Sequence, residues 1–359
     1  MGFVENLDKG IEKGLKGLNK GIPGGLPRFD KKIFNIQPGK QVSIVGAPKS
    51  GKTYFMLWRY VFRPWIAGER NIKWILYSLE VDAQQVAARL AGMFISHYYK
   101  RKINPNKLLG FGEDQLSDVE QEIYQKVREE HLIPLQQQLK IIEDKNDSNP
   151  TAIYKAALTY ASKHGTFEEE EYSTTDEKNQ PIKKKRRVGY TPNDPDEKIF
   201  IMIDTLGLMN RERNFSKKEN MDKWLDEYAI ELRNLLRYTI INCHHLNRNL
   251  SAPERKKLSG EDLQPELEDI KDTSAIGESS DMVIGIFNPN VHTEIKVHQG
   301  YSVSKFNGYY RSIHVMASRY TPSPINSALL FDFETGAWQE LPLPTDTMAL
   351  EGYYRMLNT

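Results

Sequence analysis

Short apolar runs alternate along the chain with longer stretches whose apolar positions recur every three or four residues. The runs are Gln41–Gly46 ("QVSIVG"), Lys73–Leu79 ("KWILYSL"), Gln138–Asp144 ("QLKIIED"), Ile199–Asp204 ("IFIMID") and Tyr238–His245 ("YTIINCHH"). Ser280–Phe287 and Arg311–Arg319 add two more. Between them, Thr53–Ala67, Val81–Tyr99, Pro150–Gly165 and Met221–Arg237 carry the helical period. Apolar runs bounded by turn residues predict buried strands, and the 3.6-residue period predicts amphipathic helices. Strands alternating with helices predict an α/β protein, a doubly wound, mostly parallel sheet flanked by helices.

Other segments fall outside this rhythm. Residues 3 to 19 place Phe3, Val4, Leu7, Ile11, Leu15 and Leu18 near one helical stripe, and "KGIPGGLPRFD" then breaks the helix with Gly and Pro. A short linker helix and hinge over residues 1–27 thus precedes a main domain over 28–340. The helix either folds back on its own domain or docks on a neighbouring subunit. Within the domain, Thr166–Lys198 carries an acidic run, Glu168–Glu171, then a basic run, Lys183–Arg187, and few apolar residues. It is expected to be a charged surface insertion, a ribbon or a disordered loop. Its basic run either faces the acidic one or touches nucleic acid. The tail over 341–359 is expected to be a frayed end rather than a partner-binding peptide.

Composition narrows the function classes. The 359 residues hold 49 basic and 48 acidic side chains, a net charge of +1, so nucleic-acid binding requires local basic patches. No apolar run is long enough to cross a bilayer, and no apolar signal segment opens the chain. No membrane partner is expected, and the cytoplasm is the expected compartment. The single cysteine, Cys243, excludes an internal disulfide and a cysteine-rich metal site.

The stretch "GAPKSGKTYF" follows the first strand and opens the first helix of the domain. It fits G-x-x-x-x-G-K-[ST] through Gly46, Gly51, Lys52 and Thr53. Both glycines permit backbone conformations that a side chain would forbid. The N–H groups of Lys49 to Thr53 can then converge on a phosphate, helped by the positive end of the helix dipole. Gly46, Ala47, Pro48, Lys49, Ser50, Gly51, Lys52, Thr53 and Tyr54 form this expected nucleotide cradle. Lys52 meets the β- and γ-phosphates, and the Thr53 hydroxyl ligates Mg²⁺.

A Mg²⁺ shell also needs a carboxylate, and Asp204 closes a strand whose end would lie beside the turn. Glu80 ends "WILYSLE" in the same way and could polarise the attacking water; it could equally be a helix N-terminal Glu favoured by the dipole. At the exit of "INCHHLNR", either His244 or His245 could bond the γ-phosphate or a neighbouring carboxylate, or be a loop residue only. No other His or Cys lies at the spacing a zinc site requires.

These residues resemble the ATPase domain of DnaB-like replicative helicases, the hexameric RecA-fold group that includes phage primase–helicases. The resemblance runs from "GIPGGLPRFDKKIFNIQPGKQVSIVGAPKSGKT" to "LLFDFETGAWQEL". "IPGGLPRFD" is similar to the family's I-P-T-G-L-P-x-L-D, "YSLE" to F-S-L-E, "IDTLGLM" to I-D-Y-L-Q-L-M and "HHLNR" to S-Q-L-N-R. The resemblance implies a RecA-like fold with ATP and Mg²⁺ as cofactors. It makes Glu80 the catalytic base, Asp204 the Walker B carboxylate and His245 the γ-phosphate sensor. "DIKDTSAIGESSDMVI" resembles the family's fourth motif. The loops after Walker B and before that motif line the ring's channel in the family. They would place Arg211, Arg213, Lys217 and Lys218, with Arg248, Arg255, Lys256, Lys257 and Lys271, along single-stranded DNA. "VMASRYTPSP" resembles K-x-R-N-G-P, which makes Arg319 the arginine finger reaching a neighbour's ATP.

The implied protein is an ATP-dependent, ring-forming DNA helicase of phage type, with a homohexamer, single-stranded DNA and a primase or loader as partners. The chain departs from the pattern at Ala317, where the family has Lys, and at Tyr320-Thr321, where it has Asn-Gly. The resemblance does not extend to the family's collar domain, and the Thr166–Lys198 insertion has no counterpart. Two other readings stay open: a RecA- or KaiC-like ATPase that does not unwind DNA, and an ATP-binding scaffold or loader.

Overall fold

A computed structural model describes residues 2–175, 179–247, 263–292 and 295–358. Its centre is a nine-stranded sheet. In chain order the strands of the protein are β1 Gln41–Gly46, β2 Ile72–Ser78, β3 Leu139–Ile142, β4 Gly165–Thr175, β5 Pro181–Pro192, β6 Lys198–Asp204, β7 Thr239–His245 and β8 Met282–Phe287. They continue with β9 Val297–His298, β10 Tyr301–Ser302, β11 Tyr310–Ser318, β12 Ile325–Asp332 and β13 Ala337–Glu340. The large sheet has the order β13-β12-β11-β8-β1-β7-β6-β2-β3, while β4 pairs with β5 and β9 with β10 outside it. From β8 to β3 every pairing is parallel. β11, β12 and β13 extend the sheet antiparallel. This is the doubly wound, mostly parallel, RecA-like architecture expected from the sequence.

Strand residues alternate between two apolar layers, as a period of two requires. Ile44, Trp74, Leu76, Phe200 and Met202 join one layer with Phe55, Trp58 and Phe94 from the helices. Val45, Tyr77, Ile201 and Ile203 join the other with Trp224, Leu232 and Tyr310. Both faces are covered, so the parallel strands read as continuous apolar runs.

The hinge "IPGGLPRFD" has a packing reason for its composition. Asp30 accepts the Gly24 and Leu26 N–H groups at 2.9 and 3.1 Å and pairs with the fully buried Arg59 at 2.7 Å. A Cβ on Gly24 would lie 2.1 Å from the Arg59 guanidinium, so only glycine fits.

Of the two forms expected for the Thr166–Lys198 insertion, the structure has the antiparallel ribbon, β4 with β5. The tail is not frayed: Thr347–Asn358 is a helix whose Leu350 is buried and whose Tyr354 ring meets Phe306 edge-on at 5.0 Å. Leu350, Tyr353, Tyr354 and Leu357 lie along one stripe against the second apolar layer, which supplies the burial that holds the helix. The opening helix, Phe3–Leu15, does not fold back: Phe3, Val4, Leu7, Ile11 and Leu15 are all more than half exposed.

Candidate active site

Register assembles the site. In β1 and β7, Gly46 lies beside His245; in β2 and β6, Ser78 lies beside Asp204. Four neighbouring strands therefore release Gly46, His245, Asp204 and Glu80 at one edge of the sheet. The Leu79 N–H donates to the Asp204 carbonyl at 2.7 Å, and the Ser78 hydroxyl to the Val81 carbonyl at 2.6 Å. These bonds fix the turn that carries Glu80.

The turn after β1 is built by two left-handed residues, Lys49 with φ 62° and Gly51 with φ 102°. Gly51 is glycine for its φ, and a Cβ there would also press on Trp338 at 2.9 Å. Gly46 is glycine for a different reason from the one expected. Its φ is ordinary, but a Cβ would lie 2.5 Å from the Ser50 hydroxyl and 2.9 Å from the Ile286 carbonyl. Within the turn the Ser50 N–H is committed to the Ala47 carbonyl at 3.2 Å, so it does not join the open donors. The N–H groups of Lys52, Thr53 and Tyr54 head the helix and have no acceptor in its first turn.

Lys52 is buried, and its ammonium donates to the Gly46 and Ala47 carbonyls at 3.0 and 2.9 Å. Burial pulls its pKa down, against the opposing pull of Cys243, Asp204 and Glu80. The Thr53 hydroxyl donates to Asp204 Oδ2 at 2.6 Å. Asp204 is fully buried, which raises its pKa, while Thr53, Lys52 and Arg89 act the other way. Its Oδ1 has no hydrogen-bond partner among the described residues, and neither does the buried Ser50 hydroxyl. A desolvated carboxylate oxygen beside a hydroxyl, next to a phosphate-sized turn, fits the hard, oxygen-liganded Mg²⁺.

Glu80 is exposed and its Oε2 lies 3.8 Å from His245 Nε2. Burial lowers the His245 pKa, with Lys52 reinforcing it, which favours the neutral imidazole beside Glu80. His244 points elsewhere. It is buried, its pKa is lowered to about 4 by burial, and its Nε2 donates to the Lys271 carbonyl at 2.7 Å.

Arg319 lies at the other end of the sheet. Its N–H donates to the Asp281 carbonyl at 2.9 Å, and the Asp281 N–H to the Gln41 carbonyl at 2.8 Å. Gln41 begins the strand that Gly46 ends, so about 17 Å of strand separates that level from the phosphate turn. The Arg319 side chain is exposed and its guanidinium donates to the Glu278 carbonyl.

Of the basic residues assigned to DNA, Arg211 and Arg213 stand exposed on the loop after β6, and neither has a partner among the described residues. Glu212 between them is held inward by the Lys223 ammonium at 2.7 Å and the Thr151 N–H at 2.8 Å. Lys217 is tied to Asp272 at 2.8 Å; Lys218 and Lys271 are exposed. Arg248, Arg255, Lys256 and Lys257 lie outside the described residues.

The sequence reading missed Arg89, on the helix Ala83–Tyr99 that follows Glu80. Its guanidinium lies 4.6 Å from the Tyr54 ring centroid and its charge favours ionised Asp204. Among the described residues no group of three or more His, Cys, Asp or Glu side chains is placed to hold a metal ion. No described helix is long and apolar enough to cross a membrane.

No protein-family model and no curated protein matches the sequence. Solved structures do match the fold. A structure described as an ATPase domain superposes with a TM-score of 0.67 at 17% identity, over 95% of this chain and 100% of that one. A DnaB-like replicative helicase, described with its interactions with primase, superposes with a TM-score of 0.63 at 16% identity, over 89% of this chain and 63% of that chain. The chain thus has the fold of DnaB-like helicase ATPase domains and spans less than two thirds of the second protein's length.

Proposed function

We propose that this chain is an ATP-hydrolysing, ring-forming motor that moves along single-stranded DNA as a DnaB-like helicase does. The observation that carries the proposal is the division of one catalytic set between two ends of the sheet. Phosphate turn, Mg²⁺-competent carboxylate and water-activating Glu80 meet at one end; the exposed Arg319 stands at the other. A side chain about 17 Å of strand away cannot complete its own site, but a copy placed head to tail can bring it to the next one.

In this reading Lys52 leaves the turn carbonyls for the terminal phosphates. Thr53 and Asp204 would hold Mg²⁺, which would supply charge to offset that of the phosphates. Glu80 accepts the proton of the attacking water, and the neutral His245 beside it reports on the γ-phosphate. Arg319 from the neighbouring subunit offsets the charge that develops during transfer. Lys40 brings a second cation to the same end, its ammonium 5.6 Å from the Tyr320 ring centroid, and stands in for the lysine that Ala317 replaces. The exposed stripe of Phe3–Leu15 fits a helix that packs on the adjacent subunit, which supports the 1–27 linker and the hexamer. Arg211, Arg213 and Lys271, on loops at the nucleotide end, and Lys218, in the first turn of the helix Lys217–Asp222, would follow the DNA backbone, and a primase or loader would act on the assembled ring.

The test is ATP turnover with and without single-stranded DNA. Turnover that rises with DNA, and strand displacement on a forked duplex, are expected. Turnover without displacement would favour a RecA-like ATPase, and tight binding without turnover a scaffold.

A further inference from the structure

The β4–β5 ribbon belongs to none of this machinery. At about 3.3 Å per residue its 11 paired positions reach roughly 36 Å. Its foot is anchored: Phe167 packs on Tyr190 at 5.2 Å, and the Tyr190 hydroxyl donates to the Ala161 carbonyl at 3.1 Å. Beyond the foot, Glu168–Ser173 and Lys183–Val188 are exposed on both faces. No third strand joins either edge among the described residues, so each edge presents unpaired backbone groups.

The charges on this ribbon are sorted by strand. All four glutamates, Glu168–Glu171, are on β4, and all five bases, Lys183–Arg187, are on β5. The register puts Glu169, Glu171, Arg187 and Lys185 on one face and Glu170, Arg186 and Lys184 on the other. Each face therefore has an acidic edge and a basic edge. Internal pairing does not use this up. Arg186 meets Glu170 at 2.8 Å, but Lys183–Glu171 and Lys185–Glu169 are 3.9 and 4.0 Å apart. Such exposed pairs contribute little, about 0–1 kcal/mol each. Lys184 and Glu168 have no ionic partner among the described residues.

We propose that the Gly165–Pro192 ribbon is a head-to-tail docking arm for a second copy of this chain, the Lys183–Arg187 edge of one ribbon taking the Glu168–Glu171 edge of the next. The charge pattern selects this occupant. A polyanion meeting the five bases would also meet four carboxylates one strand away, about 4.8 Å off. A two-fold dimer would set like edges together, acid on acid or base on base. A head-to-tail array sets acid on base at every contact, and rotationally related ribbons bring the returning β5 of one copy antiparallel to the outgoing β4 of the next. Antiparallel edge pairing then satisfies backbone groups as well as charges. The contact needs neither nucleotide nor DNA, so its failure and that of the motor reading are separate results.

The test is a charge-swapped full-length chain: Glu168→Lys, Glu169→Lys, Glu170→Lys and Glu171→Lys combined with Lys183→Glu, Lys184→Glu, Lys185→Glu, Arg186→Glu and Arg187→Glu. The swap keeps opposite charges facing across the ribbon; it gives up the Arg186–Tyr172 and Arg187–Phe167 cation contacts but leaves the Phe167–Tyr190 foot and the backbone ladder that hold the ribbon. Native mass spectrometry of the swapped chain mixed with the natural one should show each assembling with its own kind. Mixed assemblies should fall about tenfold below the statistical share, the effect of about 1.4 kcal/mol per contact. Sorting should fade near 1 M salt, where screening acts within about 3 Å. Free mixing at low salt, a monomeric natural chain, or a swapped chain that assembles normally but loses single-stranded DNA would each overturn the proposal.

Discussion

The two ends of the central sheet are built on opposite terms. At the end where β1, β7, β6 and β2 finish, most polar groups are buried and bonded locally, Lys52 on two carbonyls, Thr53 on Asp204 and His244 on Lys271, while Asp204 Oδ1 and the Ser50 hydroxyl are buried without a partner among the described residues. At the other end Arg319 is exposed, held by one carbonyl, with Lys40 close to Tyr320. A site that binds by itself needs the first kind of end. A group that serves a neighbour must be presented like the second, because desolvating it at home would fix it in place. On the proposed reading, the difference means that one subunit would carry the donors for one site and the finisher for another.

Substitutions at the two ends should therefore fail in different ways. Arg319→Ala should leave ATP affinity within about threefold while turnover falls by about 10³ or more, the range for an arginine supplied to a phosphoryl transition state. Lys52→Ala should instead weaken binding itself, by about 100-fold for a lost charge-assisted contact of about 3 kcal/mol. Fluorescent-nucleotide titration beside steady-state turnover separates the two. If Arg319→Ala turns over normally, the opposite end of the sheet takes no part in the chemistry and the comparison breaks.

How legible these ends were in the sequence follows from how local their signals are. The tight turn after β1 could be placed because Gly51, Lys52 and Thr53 mark it through spacing along the chain. Asp204 and Glu80 could be placed because each closes an apolar run, and a parallel sheet releases such residues at one edge. His244 and His245 could not be separated by position; the fold divides them by turning one ring onto Lys271 and the other toward Glu80. Arg89 and the Trp338 contact under Gly51 were invisible, since both depend on which helix or strand lies alongside. The strands Ile325–Asp332 and Ala337–Glu340 were not anticipated as an antiparallel extension. The helical tail was misread because its stripe is short and its partner, Phe306, is distant in sequence.

Acid should act on the buried interior and on the closed end before it acts on the exposed one. Burial lowers His244 and His298 to about 4 and His314 to about 3. His314 bonds Ser312 and Asn326, and His298 bonds the Tyr310 hydroxyl, so both are held neutral inside the fold. Above pH 6.5 these histidines are neutral in folded and unfolded chains alike, and their contribution is complete. Below it the unfolded chain takes up protons that the folded chain refuses, and stability falls toward the folded pKa values. Each histidine accounts for about 1.4 kcal/mol per pH unit in that window. Urea midpoints should thus drop steeply from pH 6 to pH 4. His314→Asn should flatten that slope, and an unchanged slope would show that His314 is not titrating as its surroundings require.

The smallest expected effect is the most discriminating, because it sets stability against activity within one residue. Asp204 is desolvated, with its Oδ1 unbonded among the described residues, and its pKa is raised for that reason. A raised carboxyl costs stability as pH rises from its usual range toward the folded value, so burying this carboxyl without a cation burdens the nucleotide-free chain. Asp204→Asn keeps the shape and can still accept from Thr53, but carries no charge to bury. Without nucleotide, the variant should be more stable by about 1 kcal/mol in urea at pH 7, as is common when a strained functional group is replaced. ATP with Mg²⁺ should then stabilise the natural chain well above the variant, reversing the order. If the variant is less stable even without nucleotide, Asp204 is a structural anchor of the turn rather than a carboxylate kept for a cation. The closed end would then owe its burial to folding and not to phosphate chemistry.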